Sequence, residues 1–195
     1  QFSVVTKYSS SIYLNLGKNF NPNYFLTSGN YTRKTFIKKF QSKIDCLNIG
    51  SDKFTKNFPL DLNSKNILVL PEGFNSETIK MIEFTLEAAK KYQDKRFIFR
   101  FHPMINKFNF IRKYFGTKLK IPKNIIFSNK SFEEDLKNSK YVLYRGSAAA
   151  IQALGANKIV IYMEFNNEIN IDPLYMLKKK FYVKKTSQLD KIFKD

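Results

Sequence analysis

Residues 141–162 read YVLYRGSAAAIQALGANKIVIY. Two short apolar runs, Tyr141–Tyr144 and Lys158–Tyr162, flank a glycine turn and a stretch of small residues. Runs without polar alternation are typical of parallel strands covered on both faces. A parallel partner needs a crossover, which a helix supplies. The segment therefore reads strand, turn (Arg145-Gly146-Ser147), helix (Ala148–Leu154, stopped by Gly155) and strand.

The same grammar extends in both directions. Asn66–Leu70 (NILVL) is an apolar run bounded by Pro71 and Gly73. Ser76 can cap a helix carrying Ile79, Ile82, Leu86 and Ala89 at helical spacing. Arg96–Phe101 (RFIFRF) is a strand ended by His102-Pro103, because proline removes a ladder donor. A helix over Asn106–Phe115 and a strand over Asn124–Phe127 follow. Ser131 caps a helix over Phe132–Asn138, with Glu134 at capping-box spacing and Glu133 beside it in the first turn. Downstream, Phe181–Lys184 is a sixth strand and Ser187–Lys194 a closing helix. This alternation predicts a Rossmann-like, doubly wound α/β domain with a parallel sheet. Upstream, Tyr24–Ser28, a helix from Asn30 to about Phe40, and Ile44–Ile49 form a smaller strand–helix–strand piece. Lys53–Lys65 mixes Pro, Asn and Asp and reads as a linker. The expected organisation is residues 1–60 as the tail of an N-terminal α/β domain and 61–195 as the main domain. The first 23 residues are rich in Ser and Asn, with a strand expected only at Ser11–Leu16.

Composition narrows the function classes. The 195 residues are 43% hydrophobic and 16% aromatic, enough for a core and too much for a disordered chain. Lys and Arg number 34 against 16 Asp and Glu, a formal +18, which raises nucleic acid as a partner. The distribution argues against it: residues 1–65 hold 10 basic and 3 acidic groups and residues 174–195 hold 7 and 2, leaving the middle only mildly basic. No zinc-finger spacing or aromatic RNA-binding signature is present. Phosphates of a nucleotide or an anionic membrane surface fit the charge as well. Lys178–Lys185 (KKKFYVKK) reads either as a lipid contact, worth about 1 kcal/mol per basic residue near such a surface, or as a solvated face around an edge strand. The single cysteine, Cys46, forms no internal disulfide and reads as a small buried residue in a reducing, cytoplasmic setting. No run approaches the roughly 18 apolar residues of a membrane span. The chain opens on Gln1 in mid-pattern, which reads as an excerpt of a longer protein.

In a doubly wound sheet, ligands bind beyond the carboxyl ends of the strands. Five groups of residues are expected there. Ser147 precedes Ala148 and a small-residue helix whose free N–H groups favour an anion, with Arg145 adding charge and Gly146 forming the turn; a plain cap is the other reading. His102, the only histidine, can donate to a phosphate and stabilise a departing one, or it simply fixes the turn before Pro103. Glu72 can accept from a sugar hydroxyl or stand as a solvated loop carboxylate, and Gly73 lets backbone pass close to a ligand. Glu164 can accept from a ribose, or is an ordinary surface carboxylate. Ser128 and Asn129 would lie near a base, or only close a turn. With one histidine and a distant cysteine, no metal is expected. Ser147 lacks the G-x-S-x-G setting of a nucleophile.

Together ILVLPEGFNSETI, FIFRFHP and YVLYRGSAAAIQALGANKIVIY resemble the C-terminal, donor-binding half of GT-B glycosyltransferases. The pattern is most similar to the HP-motif branch, which includes bacterial sialyltransferases, polysialyltransferases and CDP-glycerol glycerophosphotransferases. The resemblance covers residues 24–195 and is partly one of fold. It maps His102 and Pro103 onto the HP motif and Ser147 onto the first serine of a downstream Ser-Ser/Thr motif; here Ala148 follows instead. Pro71-Glu72-Gly73 only partly echoes the family's acidic motif, so the general base is not carried to Glu72. The implied activity is sugar transfer from a CMP-, CDP-, UDP- or GDP-linked donor to a glycan or lipid-linked acceptor, in surface polysaccharide or glycolipid synthesis. No tightly bound cofactor and no nucleic acid is implied, and peripheral contact with the inner face of the cell membrane is. A polyol-phosphate transferase of the CDP-glycerol type, or a non-catalytic nucleotide or glycan-binding module, are the alternatives.

Overall fold

A computed structural model describes residues 17, 19–39, 44–51, 58–117, 119–166 and 168–194, and contacts divide the chain into Gln1–Phe54 and Thr55–Asp195. In the first unit, strands Tyr24–Thr27 (β1) and Asp45–Asn48 (β2) pair in parallel, with helix Asn30–Lys39 (α1) between them in sequence. Phe36 and Cys46 form its small buried cluster, with Phe25 against Phe36 at 3.8 Å between ring centroids. The Arg33 Nε–H donates to the Cys46 carbonyl at 2.8 Å. Burial pushes the Cys46 thiol above its ordinary pKa, which leaves it a packing residue rather than a nucleophile. The strand expected at Ser11–Leu16 lies outside the described residues.

The second unit carries the sheet. Its elements in order are β3 (Asn66–Leu70), α2 (Asn75–Lys91), β4 (Arg96–Phe99), α3 (Lys107–Phe115), β5 (Ile125–Phe127), α4 (Phe132–Lys137), β6 (Tyr141–Tyr144), α5 (Ala149–Gly155), β7 (Ile159–Met163), β8 (Phe181–Val183), a 3-10 turn (Thr186–Gln188) and α6 (Leu189–Phe193). The six strands lie in the order β5-β4-β3-β6-β7-β8, and every pairing is parallel. The chain winds outward from β3 to β5, returns to β6 beside β3, and winds outward again to β8. The order reverses between β3 and β6, the position where such sheets open a ligand crevice.

The quoted apolar runs owe their shape to this placement. All four residues of β6 are buried, as are Ile67–Leu70 of β3, because helices cover both faces. Ile67, Val69, Phe97, Phe99 and Leu143 point to the face covered by α2, α3 and α6, where Met81, Phe110 and Ile192 meet them. Leu68, Leu70, Val142, Tyr144 and Tyr162 point to the other face, against Leu136 of α4 and Ala150 and Ala153 of α5. Phe58, inside the expected linker, packs on this second cluster; the core therefore reaches back past residue 61.

Three local expectations change. Ser76 does not cap α2: Phe74 is the cap, without a side-chain bond, and the Thr78 hydroxyl donates to the Phe74 and Glu72 carbonyls instead. Gly155 does not stop α5 but is its last residue; Asn157, at φ +62°, makes the left-handed exit. Ser147 does not cap α5 either, since Ala148 holds that position in helical geometry. The Ser131–Glu134 capping box on α4 is present. Among the described residues no helix is long and apolar enough to cross a membrane.

Candidate functional site

The loop after β3 connects its two neighbours. A Cβ on Gly73 would lie 3.1 Å from His102 Nδ1 and 3.3 Å from Cε1, so the imidazole rests on bare backbone. A Cβ on Gly146 would lie 2.8 Å from Glu72 Cδ and 2.7 Å from Ile171 Cδ1, so both side chains rest on the turn after β6. One three-residue loop, Pro71-Glu72-Gly73, thus touches both the residue that follows β4 and the turn that follows β6. These contacts gather Glu72, Gly73, His102 and Gly146 beyond the carboxyl ends of β3, β4 and β6, where the strand order reverses.

His102 is held in its turn by its own neighbours. The Met104 N–H donates to Nδ1 at 3.3 Å, and the Ile105 N–H donates to the His102 carbonyl at 2.9 Å. With Nδ1 accepting, the neutral ring carries its proton on Nε2, which has no partner among the described residues. Glu72 is half-buried, and its carboxyl is pushed above the usual range, first by burial and then by the charge of Glu77, with Arg145 opposing. Ser147 is half-buried and its hydroxyl makes no hydrogen bond among the described residues; its carbonyl accepts from the Ala150 N–H at 3.1 Å. Pro103 and Ala148 are exposed.

Arg145 differs most from expectation. It does not present its charge to solvent: the side chain is 2% exposed. Its Nε pairs with Glu77, its Nη2 donates to Glu168 at 2.6 Å, and its Nη1 donates to the Met163 carbonyl at 3.3 Å. The guanidinium also stacks over Phe165 at 4.3 Å. Glu168 takes Lys80 as a second partner. Arg145 therefore ties β6, α2 and the segment after β7 together beneath the crevice, and its positive charge is met by two carboxylates.

The remaining candidates sit elsewhere. Ser128 Oγ accepts from the Lys130 N–H and Asn129 Oδ1 from Lys107 Nζ, each at 3.1 Å, closing a turn beyond the edge strand β5. Glu164, beyond β7, lies 3.7 Å from Lys184 Nζ. Sequence reading missed the other polar lock of this edge. The buried Asp172 accepts from Tyr144 Oη at 2.9 Å and the Leu174 N–H at 2.8 Å, and pairs with Lys180. The Lys180 side chain is 3% exposed and also donates to the Leu174 carbonyl at 2.7 Å. One of the five lysines in the run Lys178–Lys185 is therefore internal. Burial and the Asp172 charge raise the Tyr144 phenol, and burial pushes the Tyr162 phenol up to about 12. Glu77 and Glu168 carried no sequence signal, since they lie 68 and 23 positions from Arg145. Among the described residues no cluster of His, Cys, Asp and Glu is placed to hold a metal ion.

No family model matches the chain, and no curated protein does. Solved structures do. The crystal structure of TarM superposes with a TM-score of 0.51 at 14% identity, over 88% of this chain and 35% of that one. The fold is GT-B-like. The glycotransferase of kitacinnamycin follows at TM-score 0.47 and 14% identity, covering 78% of this chain and 39% of that one. UDP-glucose: anthocyanidin 3-O-glucosyltransferase in complex with UDP gives 0.37 and 15%, over 52% and 30%. The chain spans about a third of the length of TarM.

Proposed function

We propose that the chain is the donor-nucleotide half of a glycosyltransferase. The observation that carries this reading is the convergence of Glu72, His102 and Gly146 where the strand order reverses. A donor phosphate seated there would meet the Nε2–H of His102 and the Ser147 hydroxyl, with Gly73 and Gly146 allowing close approach. Glu72 would accept from a sugar or ribose hydroxyl. Arg145 would act as a positioning residue, holding the Gly146 turn from below rather than touching phosphate. Transfer would proceed by electrostatics: His102 offsets negative charge growing on the departing nucleotide phosphate. The acceptor, a glycan or lipid-linked glycan at the inner face of the membrane, and the general base would belong to a partner domain. Assignment to the HP-motif branch rests on His102-Pro103 and Ser147. Glu164, Ser128 and Asn129 are outer contacts for ribose and base in this reading.

A thermal-shift panel with CMP, CDP, UDP and GDP tests it. One nucleotide should stabilise the chain, by about 2.7 kcal/mol at a hundred times its dissociation constant. His102→Ala should weaken that nucleotide about tenfold or more, the worth of one hydrogen bond to a charged group. No stabilisation by any of the four removes the proposal. Unchanged affinity in His102→Ala reduces His102 to turn structure.

A further inference from the structure

From Lys95 to Phe132 the chain carries ten Lys and Arg and no Asp or Glu. Helix α3 lies at the centre of this stretch. Its inner face is closed by Phe110, 5% exposed, which packs against Phe101, Tyr114 and Phe115. Its outer face shows Phe108, 76% exposed, with Arg112 one turn further on the same side and Lys113 beside it. Met104, in the turn before α3, is 83% exposed. Phe74 is 63% exposed, and its neighbour Asn75 donates to Tyr114 Oη of α3 at 3.2 Å. The Lys107 and Lys113 ammonium groups lie 4.9 and 5.0 Å from the Phe108 and Tyr114 ring centroids.

Isolated exposed apolar residues are ordinary. Two large ones, Met104 and Phe108, each more than three-quarters exposed inside a stretch without a single carboxylate, with Phe74 exposed beside the same helix, are not. Apolar tips ringed by snorkelling cations match an interface of acyl chains and acidic headgroups. Met104, the most exposed of the three, has no π-face to stack on a base. The face is also a convex helix flank rather than a groove, which favours a bilayer over single-stranded nucleic acid.

We propose that the outer face of α3, with Met104 and Phe74 beside it, docks on an anionic phospholipid bilayer. This is a different surface from Lys178–Lys185, where Lys180 is buried and Lys184 lies beside Glu164. It stands apart from the nucleotide reading. Because the Met104 N–H binds His102 Nδ1, docking sets the β4 loop against the headgroups.

The test is flotation of the 195-residue chain with phosphatidylcholine vesicles, pure or mixed with phosphatidylglycerol, at low and raised salt. The chain should float only with the mixed vesicles and less at raised salt. Arg112→Gln/Lys113→Gln should lower partitioning about 25-fold, at about fivefold per charge near the surface. Met104→Ser/Phe108→Ser should lower it at unchanged net charge. Both double variants should keep the parent's melting temperature, since the replaced side chains are exposed. Four results would each overturn the proposal: no flotation with mixed vesicles; an unchanged Met104→Ser/Phe108→Ser variant; an equal loss in Lys178→Gln/Lys179→Gln; or capture by a single-stranded RNA oligonucleotide in place of vesicles.

Discussion

Replacing Arg145 by Met probes the lock under the crevice. Methionine keeps an unbranched apolar stem over Phe165 but removes the guanidinium. Glu168 loses one partner and keeps Lys80, and its side chain is 26% exposed, so water compensates it. Glu77 is the costly group: its side chain is 13% exposed and Arg145 is its ion-pair partner. Removing one member of a buried pair costs about 3–5 kcal/mol. The residual solvent contact of Glu77 sets the expectation at the low end, about 3 kcal/mol. For a chain of this size that is roughly 6–12 °C in melting temperature. Urea denaturation followed by circular dichroism measures it. Neutralising the stranded carboxylate, in Arg145→Met/Glu77→Gln, should return about 2 kcal/mol of the loss, because the unpaired charge is gone. A single variant within about 1 kcal/mol of the parent, or a double variant less stable than the single, would refute the buried-pair account.

Three further outcomes follow from the same edge. Glu72 holds its proton above the usual range, so the folded state keeps a proton that the unfolded chain releases, and the carboxylate costs stability once the pH rises past the ordinary value of 4.5. Glu72→Gln should therefore melt at or above the parent at pH 7.5, the advantage fading below about pH 4.5, where both carboxyls are protonated; a melting curve showing the reverse trend contradicts the burial argument. Lys180→Met should cost about 3 kcal/mol, because Asp172 keeps the Tyr144 and Leu174 donors but loses its counter-charge; a loss under about 1 kcal/mol would mean the segment after β7 is not anchored there. Gly146→Ala should displace the Glu72 carboxylate and the Ile171 side chain, both flexible ends, so overpacking costs only about 1–2 kcal/mol; nucleotide affinity should fall more than stability does, and isothermal titration beside a melt separates the two.

The sheet was legible because burial on both faces leaves a signature that needs no long-range information. Asn66–Leu70 and Tyr141–Tyr144 match β3 and β6 residue for residue, and the alternation with helices implied the parallel arrangement. The capping box at Ser131 was legible for the same reason: its partner, Glu134, is three positions away. Ser76 misled because the N-terminus of α2 is set by Thr78 reaching back to two carbonyls, a tertiary choice among adjacent polar residues. Gly155 misled because Asn157 also tolerates the left-handed conformation. Arg145 was read as a charge for a bound anion, and Lys180 as part of a lipid-facing or solvated run, because the carboxylates that hold them, Glu77 and Asp172, come from other elements. Charge alone does not disclose a buried partner. Gly73 was read as room for a ligand and Gly146 as part of a turn; each also supports a side chain, His102 and Glu72, from a neighbouring loop.

The most direct test is an NMR titration of the isotope-labelled chain with whichever of CMP, CDP, UDP or GDP stabilises it. The account predicts that the largest amide shifts fall on Gly73, His102, Gly146 and Ser147, and that they shrink together in His102→Ala. Shifts centred on another part of the sheet, with these four unmoved, would contradict it.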